Sequence, residues 1–344
     1  MRVDLRSDTV TVLTPRMRQA MYEAEVGDDV FEEDPTLNRL EEKAAEICGR
    51  EASLFVPSGT MANQICLRLH APRGSEVIMQ EEAHIYVHEA GGLATLAQVQ
   101  TCLLGKESGM LQPVELPKAF RPSGDDVHLP ATSLVCLEQT AMMAGGAVYP
   151  LETVEAICSI AHERGAKVHM DGARLFNAVV ASGVSAKEFS HPVDSLMFCL
   201  SKGLCCPVGS MVVGNRDFIR QARKVRKLYG GGMRQAGVLA ACGLVALEEM
   251  IERLAEDHQK ARILAAAVEG SPIVDSDWKR PQTNMVIFRL RGVSASSLIA
   301  GLEEHGVLAL AMEDDERIRL VTHKDVSFEG ASYAAAALAG LLKN

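Results

Sequence analysis

Short apolar runs alternate with helix-length amphipathic stretches through the first two-thirds of this chain, and few folds accept that order. Residues 52–56, 77–79, 134–137, 166–170, 196–200 and 210–213 read as strands. Short, nearly continuous apolar runs of this kind mark strands that are covered on both faces. Between them, helices are expected at 16–22, 36–48, from about 60 to 69, at 151–164, at 216–228, and from 235 to about 266. In the second of these Leu37, Leu40, Ala44 and Ile47 share one face, and Gly49 is the expected stop. In the fourth, Val154, Ile157, Cys158 and Ala161 do the same. The alternation predicts an α/β fold whose mostly parallel sheet carries helices on both faces.

The pattern changes near residues 269–277. Shorter strands are expected at 284–290, 306–310 and 317–321, with a closing helix at 329–342. Two units follow: residues 1–256, which include an N-terminal arm, and a small α+β unit at 257–344. A length of 344 residues suits one large domain and a smaller one. Hydrophobic residues make up 47% and charged residues 23%, enough to bury a sizeable core. The formal charge of -10 argues against a nucleic-acid partner, but not against an anionic cofactor, because phosphate sites are local. The nine cysteines form no CxxC and no metal-ligand spacing, so no metal site is expected. They read as reduced thiols of a cytoplasmic protein. The opening Met1-Arg2-Val3-Asp4-Leu5-Arg6 has no signal-peptide character, and no apolar run is long enough to cross a bilayer.

Two expected strands lead into residues that carry chemistry. The run at 166–170 ends in Asp171, and the run at 196–200 leads into Ser201-Lys202-Gly203. Open α/β sheets bind ligands outside the carboxyl ends of their strands. A lysine and a carboxylate placed there are the pair that pyridoxal phosphate chemistry requires. The amine makes a Schiff base with the cofactor aldehyde, and the carboxylate partners the pyridinium nitrogen. Taken singly, Asp171 also reads as a loop cap and Lys202 as a solvated loop lysine.

Other candidates share that setting. Ser58-Gly59-Thr60 turns from a strand into a helix, where backbone N–H groups bind phosphate; the same turn also serves as a plain N-cap. His84 follows a strand, where an imidazole would stack on a flat ring or move protons near neutral pH. A structural role is open to it, and to His88 and His128. His162, His169 and His191 read as structural. Arg174 and Arg319 offer forks for a carboxylate, although either would also suit a surface ion pair, and Arg317 competes with Arg319. Gly230-Gly231-Gly232-Met233-Arg234 is a flexible loop that opens a helix and would approach a phosphate or another subunit.

The chain resembles the low-specificity L-threonine aldolases, within the fold-type-I pyridoxal phosphate enzymes. The ordered blocks that carry the likeness span nearly its whole length. They are Asp4-Leu5-Arg6-Ser7-Asp8-Thr9-Val10-Thr11, Gly27-Asp28-Asp29-Val30-Phe31, Pro57-Ser58-Gly59-Thr60-Met61-Ala62-Asn63, and His84 with Glu89-Ala90-Gly91-Gly92. Further along come His169-Met170-Asp171-Gly172-Ala173-Arg174-Leu175-Phe176-Asn177, Leu200-Ser201-Lys202-Gly203-Leu204, Gly230-Gly231-Gly232-Met233-Arg234-Gln235 and Arg319-Leu320-Val321-Thr322-His323.

The resemblance implies that Lys202 carries the cofactor, Asp171 contacts its ring nitrogen, and His84 stacks on the ring and assists proton movement. It implies that Ser58, Gly59 and Thr60 hold the phosphate, with Lys227 and Arg234 reaching in from a neighbouring subunit. Ser7, Arg174 and Arg319 match positions that hold the substrate carboxylate, with Arg174 near the cofactor too. His128 matches a histidine near the substrate hydroxyl, and His88 lies toward the substrate side chain. The implied assembly is a homotetramer, a dimer of dimers with active sites at the dimer interface. The implied reaction is retro-aldol cleavage of L-threonine, L-allo-threonine and other β-hydroxy-α-amino acids to glycine and an aldehyde. Another pyridoxal phosphate lyase or an amino-acid racemase would use the same scaffold. A non-catalytic binding protein would be expected to have lost Lys202 or Asp171, and both are present. Two departures bear on substrate range: His88 replaces a residue often aromatic in relatives, and Gln139-Thr140-Ala141-Met142-Met143-Ala144 replaces a shorter, histidine-containing loop.

Overall fold

The computed structural model describes residues 1–106, 108–121, 126–276 and 278–343. Its strands, in chain order, are β1 (Val3–Asp4), β2 (Ala52–Val56), β3 (Glu76–Gln80), β4 (Gln100–Leu104), β5 (Thr132–Glu138) and β6 (Lys167–Asp171). They continue with β7 (Ser195–Cys199), β8 (Ser210–Gly214), β9 (Met285–Arg289), β10 (Val307–Leu308), β11 (Leu310–Ala311) and β12 (Arg317–Val321). Seven of these form one sheet in the order β2-β8-β7-β6-β5-β3-β4. β8 is antiparallel to both neighbours, and every other pairing in the sheet is parallel. The link from Cys199 to Ser210 holds no helix, and a parallel return needs about a dozen residues or more, so β8 can only run back beside β7.

The central strands are mostly apolar because they give alternate residues to cores on the two faces of the sheet. Phe55, Ile78, Val135, Val168, Phe198 and Met211 enter one, with residues of helices Pro35–Ile47, Leu151–Glu163 and Gly237–Val245. Leu54, Val56, Met197 and Val212 enter the other, with residues of helices Gly59–His70 and Arg216–Leu228. This is the α/β architecture expected. It places the ends of β2, β3, β5, β6 and β7, all running the same way, along one edge of the sheet.

A second sheet, β11-β12-β9, is antiparallel and has its own core of Phe288, Leu298, Ile318, Leu320 and Ala331. Val3 and Leu5 belong to that core, because β1 pairs with β10 and Val321 N–H bonds to the Leu5 carbonyl at 2.8 Å. The N-terminal arm is thus tied to the C-terminal sheet, and the residues just after it, Ser7 and Asp8, turn back toward the large sheet.

Several expected elements differ in detail. The strand expected at 306–310 is two strands, since the chain changes partner from β1 to β12 across Ala309. The long helix expected from 235 is interrupted by a widened turn at Ala246–Met250 and restarts as Leu254–Val268. The restart seats Leu254 against Gly203, where an added Cβ would lie 2.8 Å from its Cδ2. It also brings Asp257 to the side chains of Arg253 and Lys260. β4, a half-exposed edge strand, and helices Leu175–Ser182 and Ala295–Glu304 are additional to the expected elements; in the last of them Ala295, Leu298 and Leu302 form a buried face at helical spacing. The nine cysteines are free thiols, eight buried and Cys102 half-buried. No helix among the described residues is long and apolar enough to cross a membrane.

Candidate active site

The carboxyl edge of the large sheet gathers most of the candidate residues. Asp171 is the last residue of β6, and Lys202 stands three residues beyond β7. Asp171 is 2% exposed, yet its carboxylate is well supplied with donors. Ala173 N–H reaches Oδ1 at 3.0 Å and Asn63 Nδ2 reaches Oδ2 at 2.8 Å. The Lys202 carbonyl is fixed by Thr11 Oγ1 at 3.0 Å and by Cys205 N–H at 2.8 Å. Its side chain is half-buried and lies near both Asp8 on the N-terminal arm and the His84 imidazole.

At the end of β2 the chain turns through Ser58 into helix Gly59–His70. Ser58 Oγ caps Met61 N–H at 3.2 Å, and the Ser58 carbonyl takes Ala62 N–H. The N–H groups of Gly59 and Thr60 precede the first helical bond and lie at the positive end of the helix dipole. A side chain at Gly59 would meet Cys199 Sγ at 2.9 Å and Met197 Cε at 3.1 Å, so glycine lets this end of the helix sit directly on β7.

His84 opens a short helix after β3. Its backbone N–H bonds to Glu138 Oε2 at 2.8 Å, and its Nδ1 lies 3.1 Å from Glu89 Oε1. Glu89 is buried and also accepts from Asn63 and Gln64, each at 2.8 Å. A carboxylate only accepts, so His84 Nδ1 carries the proton and Nε2 is left as the working nitrogen. The bond to Glu89 raises the imidazole pKa above its ordinary value, against the opposing effect of burial. Glu138 is pushed up by burial and by nearby Asp171 while both its oxygens accept backbone N–H bonds, from His84 and Met142. The ligand atoms of His84, Glu89 and Asp171 all lie within 4.8 Å of one another, but the two carboxylates share the hydrogen-bond donor Asn63.

The two arginines differ sharply. Arg174, 8% exposed, is held by Asp8 in a two-pronged pair at 2.8 and 2.6 Å. Burial opposes the charge on Asp8, yet the guanidinium takes its carboxyl down to about 2. Arg319, half-buried, has no carboxylate partner among the described residues. It donates weakly to Met142 Sδ at 3.5 Å and to the Arg6 carbonyl at 3.4 Å, and its buried Nε has no partner. Ser7 lies beside this pair on the arm and accepts from Thr9 N–H at 3.2 Å. Arg317 is engaged by Glu82 and Asp314, which leaves Arg319 as the available fork.

The remaining candidates are peripheral within one chain. His88 is exposed and tilted against His84, with ring centroids 5.5 Å apart, and burial nonetheless lowers its pKa. It lines a cavity of about 100 Å³ with Val87, Met143, Met312 and Glu313. His128 is exposed on a loop, and the neighbouring Asp125 lies outside the described residues. Lys227 and Arg234 are exposed, and Arg234 pairs with Asp28 at 3.0 Å. Asp8, Asn63, Glu89 and Glu138 were assigned no role from the sequence. The first three sit inside the sequence blocks quoted above, but each is defined by a partner distant in the chain. Only the spacing from His84 to Glu89 offered a local hint.

Comparison with known proteins shows the family and the fold. The family model described as Beta-eliminating lyase matches residues 4–291. The low-specificity L-threonine aldolase 1 of Arabidopsis thaliana is 44% identical over 96% of this chain and 94% of its own length. The low specificity L-threonine aldolase of Escherichia coli K12 is 43% identical over 97% of both. Among solved structures, the threonine aldolase of Leishmania major superposes with a TM-score of 0.84 at 20% identity, covering 99% of both chains. A structure of SPT with PLP superposes at 0.76 and 16% identity, covering 99% of this chain and 87% of that one. These two likenesses concern the fold: a fold-type-I large sheet with a small antiparallel sheet beside it. On its close sequence relatives and the matching family model, the chain belongs to the low-specificity L-threonine aldolases and to the wider beta-eliminating lyase family.

Proposed function

We propose that this chain cleaves L-threonine, L-allo-threonine and related β-hydroxy-α-amino acids to glycine and an aldehyde, as a carbon–carbon lyase dependent on pyridoxal phosphate. The observation that carries this reading is the convergence of Lys202, Asp171 and His84 at one sheet edge beside an unpaired Arg319.

The residues present fit the cofactor. The N–H groups of Gly59 and Thr60, with the Ser58 and Thr60 hydroxyls, suit its phosphate. Asp171, fixed by Ala173 and Asn63, suits its ring nitrogen, and the Lys202 amine suits its aldehyde. When bound, pyridoxal phosphate supplies an electron sink for the carbanion left at Cα. Arg319, with Ser7 and the Asp8-bound Arg174, orients the substrate carboxylate. Fixing the carboxylate in this way would select which bond to Cα is broken, and so cleavage over racemisation. His84 takes the hydroxyl proton at Nε2, directly or through a water, while Glu89 holds Nδ1. His88 and the loop around Met143 border the space for the β-substituent, whereas the role at the hydroxyl given to His128 rests on the family likeness alone, since its side chain is exposed on a loop.

We infer further that residues 1–256 hold the cofactor and 257–344 close over it. Exposed Lys227 and Arg234 fit a role at a neighbour's phosphate, and exposed Tyr22, Phe31 and Leu228 suit burial in a homotetramer. Nine unpaired thiols fit the reducing cytoplasm.

Product analysis tests the reaction. Glycine and acetaldehyde from L-threonine or L-allo-threonine are expected. Pyruvate from serine, or D-alanine from L-alanine, without glycine from threonine, would replace the aldolase with another lyase or a racemase. A pH profile tests the base. His84 must be neutral to accept a proton, and its pKa is raised, so kcat/KM should climb with pH through a point above the ordinary imidazole value of about 6.5. Glu89→Gln removes the raising partner and should move that limb to lower pH. An unmoved limb would remove His84 from the proton transfer.

A further inference from the structure

Asn63 lies one turn into helix Gly59–His70 and is 1% exposed. Its amide nitrogen is 2.8 Å from Glu89 Oε1 and 2.8 Å from Asp171 Oδ2. Its Oδ1 is 3.0 Å from His169 Nε2. Carboxylates only accept, so the amide has one possible orientation, with both N–H bonds spent on the two anions. His169 Nε2 must then donate to Oδ1. His169 Nδ1 accepts from Ser195 Oγ at 2.9 Å, and Ser195 in turn accepts from His70 Nε2 at 2.9 Å. His70 is stacked on Phe218 with centroids 4.7 Å apart. Burial takes both histidines down to about 4, so each stays neutral and every link keeps one direction. The chain His70–Ser195–His169–Asn63 ends by delivering two donors to two carboxylates.

Those two carboxylates serve different tasks. Asp171 is the candidate partner of the cofactor ring, and Glu89 holds Nδ1 of His84. Two buried carboxylates this close repel each other, and the two Asn63 N–H groups stand between them. We propose that Asn63 is a positioning residue that holds the Asp171 and Glu89 carboxylates in one fixed arrangement, and so joins the cofactor's ring partner to the proton-transferring His84 in one rigid unit. This rests on the roles given to Asp171 and His84 above. It also assigns a role to His169, which orients the amide from behind.

The groups that face His84 are Glu89, Asp171, Glu138, Lys202 and His88. Of these, Asn63 donates to Glu89 and Asp171. Removing its donors takes one competing hydrogen bond from Glu89 Oε1, the oxygen that bonds His84, and so strengthens the contact that raises the imidazole; the His84 midpoint should move to higher pH.

The test uses Asn63→Leu, close in size but without polar atoms, and Asn63→Ser, which keeps one donor. Two quantities are measured apart from turnover. One is the His84 titration followed by NMR in protein without added cofactor. The other is the dissociation constant for pyridoxal phosphate, by equilibrium dialysis of the full chain. Asn63→Leu should raise the His84 midpoint by about one unit and weaken cofactor binding about tenfold or more, with a smaller effect for Asn63→Ser. In a Glu89→Gln background the midpoint shift should vanish. A purely structural role would instead leave His84 unmoved in a folded variant. An unchanged midpoint and dissociation constant in folded Asn63→Leu overturn the proposal, as does loss of folding in both variants, which would make the role structural. Because the cofactor-free titration does not depend on any substrate, a failed aldolase assay would leave this result readable.

Discussion

Replacing Lys202 with alanine is expected to lower the rate of glycine release by about four orders of magnitude or more. The protein should still fold. The Lys202 carbonyl is held by Thr11 and Cys205, and neither bond involves the side chain being removed. Far-UV circular dichroism and a thermal midpoint within a few degrees of the parent would establish this. Cofactor should still bind through the phosphate turn and Asp171, but it should wash out on dialysis. Stopped-assay measurement of glycine and aldehyde from threonine gives the comparison. Turnover near the parental rate in the folded variant would mean that Lys202 is an ordinary loop lysine.

Asp171→Asn is the second large effect. The change is nearly isosteric, so β6 and its bond from Ala173 should persist. What changes is charge. An ionised ring nitrogen in this buried place would lose its only carboxylate partner, and an unpaired buried charge costs about 3–5 kcal/mol. If that cost falls on the transition state, kcat drops by about two to four orders of magnitude. The new amide also sets its donors against those of Asn63, so cofactor affinity should fall in the same variant. A kcat within a factor of about three of the parent would contradict the role given to Asp171.

The features legible in the sequence were those written locally. The strand before Lys202 is a nearly continuous apolar run, the one before Asp171 alternates around Val168 and Met170, and the helix at 216–228 has the bounds its pattern predicted. The turn at Ser58-Gly59-Thr60 announces itself by its residue types. What could not be read was the choice of polar partners. Asp8 and Arg174 are 166 residues apart, and nothing near either one indicates that Arg174 is already neutralised. Both arginines look alike as sequence, yet only Arg319 is left with a buried, unpaired Nε. Asn63 was one letter in a motif until β6 and the loop after β3 converged on it. The break in the helix after 245 also escaped notice, because its cause is tertiary: Leu254 seats on Gly203 behind the Lys202 loop, and Arg253, Asp257 and Lys260 pair there. His88 and the Met142–Met143 loop are where this chain departs from the family pattern, and relative kcat/KM on threonine and phenylserine stereoisomers would measure their effect.

The most direct single measurement is borohydride reduction of the holoprotein, followed by proteolysis and mass spectrometry. Label fixed to the peptide holding Lys202, with no other lysine modified, is the predicted result. Label on another lysine, or an unlabelled chain that still releases glycine and an aldehyde from threonine, would contradict it.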